Sequence, residues 1–140
     1  MDPQEGAVRL TSLVGGRNPA YRTAVGKALL SSRLHTLADV TAWLGDAPLE
    51  ARTPNTLTTA EELFAELELT RARGFAIDDE ENELGVNCIA IAIYLHGAPT
   101  PAGAISISAV KFRCPLERLV TEFPHVATVI QRHLGANALG

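Results

Sequence analysis

The densest chemistry in the chain lies between Asp78 and Glu83, five acids and one asparagine with no apolar residue among them. Soon after it, Cys88 to Leu95 is unbroken apolar, with isoleucine at every second position. Carboxylates delivered to the mouth of an apolar strand form either a solvated loop or part of a pocket wall. The residue types alone favour the solvated loop, because ionised side chains rarely leave water without a partner. Further on, Ser106 and Ser108 alternate with Ile105, Ile107 and Ala109. Alternation puts both hydroxyls on one face of a strand. If buried they need partners, either neighbouring backbone or a polar pocket.

Other reactive types are less well placed. Cys88 as nucleophile would need a base, and His96 sits at the far end of the same strand, about 26 Å away at full extension. Cys114 and His125 belong to no supporting pattern. The two cysteines and four histidines show no metal-ligand spacing. Gly26-Lys27 invites a phosphate-loop reading, which fails: Tyr21 stands where the loop needs its first glycine and Ala28 where it needs Ser or Thr. No cofactor is expected.

The elements that must position these residues can be read in order. With 140 residues, one domain with a real core is expected. The net charge of −4 argues against unaided nucleic-acid binding, which relies on a basic face. No signal peptide is evident and the apolar run is too short to span a membrane, so a cytoplasmic chain with free thiols is expected, with no membrane partner. Met1 to Gly6 reads as a disordered tail. Ala7 to Val14 reads as a strand. Asn18 and Pro19 look like the start of a helix running to about Arg33. Thr36 caps a short helix to Leu44, with Leu37, Val40 and Leu44 inward and Trp43 over the core edge. Thr59 and Glu62 fit a capping box, and Gly74 ends that third helix. Arg71 and Arg73 read as its solvated last turn. Strands follow over Phe75–Asp78, Cys88–Leu95 and Ala102–Val110. The last helix, Leu116 to Leu134, is expected to break or kink at Pro124 and to bury Val129 and Leu134 with the rest of its stripe. Consecutive strands joined by short loops predict an α+β fold, an antiparallel sheet with helices packed against it.

One pattern is more specific. Gly74, Asp78, Glu81, Cys88, Ile89, Ala90, Ile93 and Tyr94, at these spacings, resemble the hallmark of the effector-binding domain of IclR-type bacterial transcription regulators. Leu95 departs, where the pattern closes with Asp or Asn. The stretch Pro19 to Leu30, with Thr23-Ala-Val-Gly-Lys-Ala-Leu-Leu, also resembles that family. There it forms a helix whose start borders the effector pocket, and exposed N–H groups at a helix start favour an anion. The plainer role of Gly26 is to allow close packing, and the two are compatible. The resemblance covers roughly Val8 to Gly135 and implies a GAF-like fold. The winged helix-turn-helix and linker helix that open such regulators have no counterpart, so 7–140 is expected to be a partial effector-binding domain reaching operator DNA only through a separate module.

Carried over by position, the resemblance places Ala24, Val25, Asp78, Val86, Cys88, Ser106 and Ser108 around an effector site. It implies a small organic or aromatic acid as ligand and a homodimer or tetramer as assembly. Asp78 is awkward beside an anion: it must be protonated, bond a ligand hydroxyl, or hold a loop. The alternatives are an oligomerisation module pairing through an exposed sheet edge, and a small enzyme using Cys88. A sensor is stabilised by one acid, an enzyme turns it over, and an interaction module does neither.

Overall fold

The computed structural model describes residues 8–13 as backbone, and 20–46 and 49–140 with side chains. The expected tail over 1–6 and the expected helix start at Asn18-Pro19 lie outside the described residues. Strand β1 (Val8–Leu13) is followed by helices α1 (Ala24–Leu30), α2 (Leu37–Leu44) and α3 (Ala60–Arg73). Strands β2 (Ala76–Asp79), β3 (Val86–Ile93) and β4 (Gly103–Val110) come next, and α4 (Leu116–Leu134) closes the fold. The strands form one sheet in the order β1-β4-β3-β2, and every pairing is antiparallel. This is the α+β layout expected.

The period of two along the strands divides the molecule into layers. Ile89, Ile91 and Ile93 of β3 join Ala109, Leu119 and Ile130 in one core beneath α4. Phe75 and Phe123 pack there with ring centroids 4.2 Å apart. The opposite face carries small residues: Ala76, Ala90 and Ala104 pack with Ala24, Val25 and Ala28 of α1. A third cluster, Tyr21, Leu30, Leu34, Val40, Leu63 and Leu67, ties α1 to α2 and α3. Small side chains on both walls let α1 lie close to the sheet, where bulkier ones would hold it off.

Helix starts follow from caps. Thr36 accepts from Asp39 N while the Asp39 carboxylate bonds Thr36 N, a complete capping box. Thr59 accepts from Glu62 N, but the Glu62 carboxylate reaches Thr58 N instead of the cap's own N–H. The first helix differs from expectation. It starts at Ala24, because Thr23 is extended and its Oγ1 accepts from Gly26 N. Gly26 is where the preceding turn crosses closest: a Cβ there would lie 2.3 Å from the Cα of Ala20.

Three further expectations are corrected. Helix α4 runs unbroken through Pro124. A missing N–H costs one intrahelical bond, and apolar residues on both sides of it, Leu119 and Phe123 before and Val126 and Ile130 after, are held in the same core. Val129 and Leu134 are exposed at the margin of that stripe, and Leu37 and Trp43 are exposed on α2. Arg71 and Arg73 are not a solvated turn. Nη1 of Arg71 donates to Ser31 O and Leu34 O at 2.8 and 2.9 Å, and Arg73 pairs with Glu66 and bonds Phe75 O.

Candidate functional site

Strand register brings the expected residues together. Asp78 pairs with Cys88, and Cys88 pairs with Ser108, so these three form one row across β2, β3 and β4. Ser106 lies one row on, opposite Ala90. Val86 lies one row back on the same face, opposite Val110. Ala24 and Val25 come down from α1 into the cluster that includes Cys88 at its edge. All seven residues therefore share the α1 side of the sheet. Ala24, Val25, Asp78 and Ser106 are buried, whereas Val86, Cys88 and Ser108 are half-buried. The arrangement has a closed back and a more open front. Cys88 Sγ and Ser108 Oγ are 3.0 Å apart, a thiol and a hydroxyl in contact at that front.

The acidic segment is not the solvated loop its composition suggests. Asp78 and Glu81 are buried, and the reason is a charge 54 residues away in sequence. Lys27 is 0% exposed, and its Nζ donates to Glu81 Oε1 at 2.7 Å. Glu66 lies 3.9 Å from the same ammonium. A buried ammonium is tolerable only when paired in this way. The other Glu81 oxygen accepts from Asp79 N at 3.0 Å.

Neutral and charged groups complete the fastening. Asp78 Oδ1 accepts from Glu81 N and Asn82 N. The hydroxyls of Thr53 and Thr56 donate to the carbonyls of Glu80 and Glu81, and Arg22 Nε donates to Asn82 Oδ1 at 2.8 Å. Glu80, at φ 56°, accepts from Gly85 N and from Lys111 Nζ. The Lys111 ammonium and that N–H hold the Glu80 carboxyl below its ordinary range.

Of the three roles open to Asp78, loop-holding is present in the geometry. Burial pushes its carboxyl from 3.8 up to about 6, and the neighbouring Glu81 charge adds to the rise. The N–H groups of Glu81 and Asn82 and the Lys27 charge pull the other way. No group of three or more acids, histidines and cysteines among the described residues is arranged to hold a metal, and Cys88 and Cys114 are not joined in a disulfide.

Sequence reasoning finds the row but misses what supports it. There Lys27 figures only as a failed phosphate-loop lysine. Its signal is a lone charge in the otherwise apolar stretch Ala24 to Leu30. Thr53, Thr56 and Arg22 give no signal, since their partners are carbonyls and an amide far along the chain.

Residues 1–130 match the family described as bacterial transcriptional regulator IclR, C-terminal. The chain is 38% identical over 111 residues to the HTH-type transcriptional regulator XynR of Escherichia coli K12, covering 73% of this chain and 39% of that protein. It spans less than half the length of such relatives. Among solved structures, the C-terminal domain of the E. coli regulator KdgR superposes with a TM-score of 0.69 at 30% identity, covering 91% of this chain and 87% of that one. The inducer-binding domain of PobR from Acinetobacter, a double mutant in complex with 3-hydroxybenzoic acid, gives 0.72 at 26% identity, over 86% of this chain and 67% of that one.

Proposed function

The chain belongs to the IclR C-terminal domain family, and on that footing we propose that it is an effector-binding domain for a small organic or aromatic acid. The row Asp78–Cys88–Ser108 on the α1 face carries the reading. It sets a buried carboxyl group, a thiol and a hydroxyl side by side against an apolar back wall of Ala24 and Val25, the mixture of few polar groups and apolar surface that suits a small ligand. The similar PobR domain holds a hydroxybenzoic acid, which adds support for this class of ligand.

Each residue has a chemical role in this reading. Ser106 and Ser108 offer hydroxyls to a carboxylate. Cys88 and Val86 shape the front. Asp78 Oδ1 is occupied by the acidic loop, which leaves Oδ2 to accept from a ligand hydroxyl. Because the same carboxyl holds the loop, ligand contact and loop position are coupled. In the longer relatives' arrangement, occupancy would pass to a DNA-binding module in a cytoplasmic dimer or tetramer. The chain senses and does not turn over its ligand.

The test is a thermal-shift screen of the 140-residue chain against pyruvate, glyoxylate, dicarboxylates, hydroxybenzoates and phenylacetates. At a hundredfold excess over its dissociation constant, the true effector adds about 2.7 kcal/mol. A folded chain with no shift from any acid overturns the proposal, and consumption of the acid reassigns the chain to the enzymes.

A further inference from the structure

A separate cleft of about 410 Å³ opens at the other end of α1. It is walled by the last turns of α1 and α3 and by the end of β3, and none of the seven effector-site residues lines it. We propose that this cleft is a second ligand site, for a monocarboxylate with a compact apolar body, anchored by Arg71.

The guanidinium is the first ground. Both Nη1 hydrogens of Arg71 are engaged by Ser31 O and Leu34 O, which fixes the group in place. Its Nε and Nη2 donors have no partner among the described residues. A planar cation held at one corner, with donors to spare, is already arranged for a planar carboxylate. The same two bonds occupy the Ser31 and Leu34 carbonyls, at and just after the end of α1, that would otherwise repel an anion.

Charge is the second ground. The chain as a whole carries −4, yet no acidic side chain lines this cleft and a permanent cation does. Glu66, the acid that pairs with neighbouring Arg73, is engaged by Arg73 and Lys27. Asp39, close to His35, accepts from the His35 and Thr36 N–H groups. The remaining lining is mixed, with Ser31, Ser32, His35 and Thr70 polar and one apolar side for the ligand body. Phe75, Ala28, Ala92 and Leu139 supply hydrocarbon, and the Tyr94 phenol supplies one polar contact. The volume falls at the small end of ligand sites, about 300–1,000 Å³, so one ring or a short branched chain fits.

The test is a titration of the ¹⁵N-labelled 140-residue chain with 4-fluorobenzoate, followed by amide shifts. The expected shifts cluster at Ser31–His35, Thr70–Phe75 and Tyr94. Arg71→Gln weakens binding about tenfold or more through loss of a charge-assisted contact. Since Arg71 also ties α1 to α3, Ser32→Leu is the companion variant: it fills the cleft from its half-buried wall and leaves both Arg71 bonds intact. It should abolish these shifts in a folded protein, while Ser106→Ala leaves them unchanged. Shifts confined to Asp78, Cys88 and Ser108, or affinity at the cleft unaltered by Ser32→Leu, or no binding at millimolar probe, overturns the second site. Only the last of these also counts against the effector reading for aromatic acids.

Discussion

Lys27 has no exposed surface, and a full charge with no water must be compensated within the fold. Removing it strands Glu81. Lys27→Met is therefore expected to destabilise the chain by about 3–5 kcal/mol, the range for leaving one member of a buried pair unpaired. Urea unfolding checks this. The double variant Lys27→Met/Glu81→Leu should recover a clear part of the loss, because no buried charge is then left unmatched. A loss no larger than that of an ordinary surface substitution contradicts the account. Asp78 has the opposite sign of dependence. Its carboxyl binds its proton more tightly in the fold than in the open chain, about 6 against 3.8, so ionising it opposes folding. The penalty is absent below about pH 4, grows as pH rises towards about 6, and reaches roughly 3 kcal/mol above that. Asp78→Asn keeps an oxygen for the Glu81 and Asn82 N–H groups and removes the ionisation. The stability of the variant relative to wild type should therefore rise between about pH 4 and pH 7; a flat difference contradicts it. That Ser106 and Ser108 share a strand face was legible from alternation; that Asp78 and Cys88 fall in a row with Ser108 depends on strand register, which alternation alone does not set. The burial of Asp78 and Glu81 was not legible either, since nothing in an acidic run announces a lysine 54 residues earlier that pairs with it.

At the scale of elements, local signals succeeded where a cap or an alternation is self-contained. Thr36 with Asp39, Thr59 with Glu62, Gly74 as the left-handed stop of α3 and the strand alternation were all readable. The start of α1 was not, because the competing cap at Thr23 depends on a turn that crosses Gly26. Gly26→Ala should gain a little helix propensity and lose more to overpacking, for a net loss of about 1–3 kcal/mol. Denaturant unfolding decides this, and an unchanged midpoint would mean that Ala20 yields freely. On β3, the Asn87 side chain is fully buried and neither its amide nitrogen nor its oxygen has a partner among the described residues. It occupies a strand position beside Ile89 on the α4 side. Asn87→Val removes two unsatisfied groups and supplies a better strand former, so the melting temperature should rise. A fall would contradict the reading that the unpaired amide costs stability at this position.

The whole molecule is a sheet with two unlike faces. Under α4 lie isoleucines, and none of the seven candidate residues is among them. Under α1 lie alanines, a thiol, two hydroxyls and a buried carboxyl group, with the acidic loop bound to α1 through Lys27. The fold class followed from the order of elements, and the family from the spacing between Gly74 and Tyr94. Which face would carry the chemistry followed only once register was known. The most direct test is calorimetric titration of the strongest acid from the thermal screen into wild type, Ser108→Ala and Ser106→Ala, with Ser32→Leu as the control at the other cleft. The account predicts at least about tenfold weaker binding in the serine variants, the loss of hydrogen bonds to a charged ligand, and unchanged binding in the control. Equal affinity across wild type and both serine variants would place the ligand elsewhere and contradict the assignment of the α1 face as the effector site.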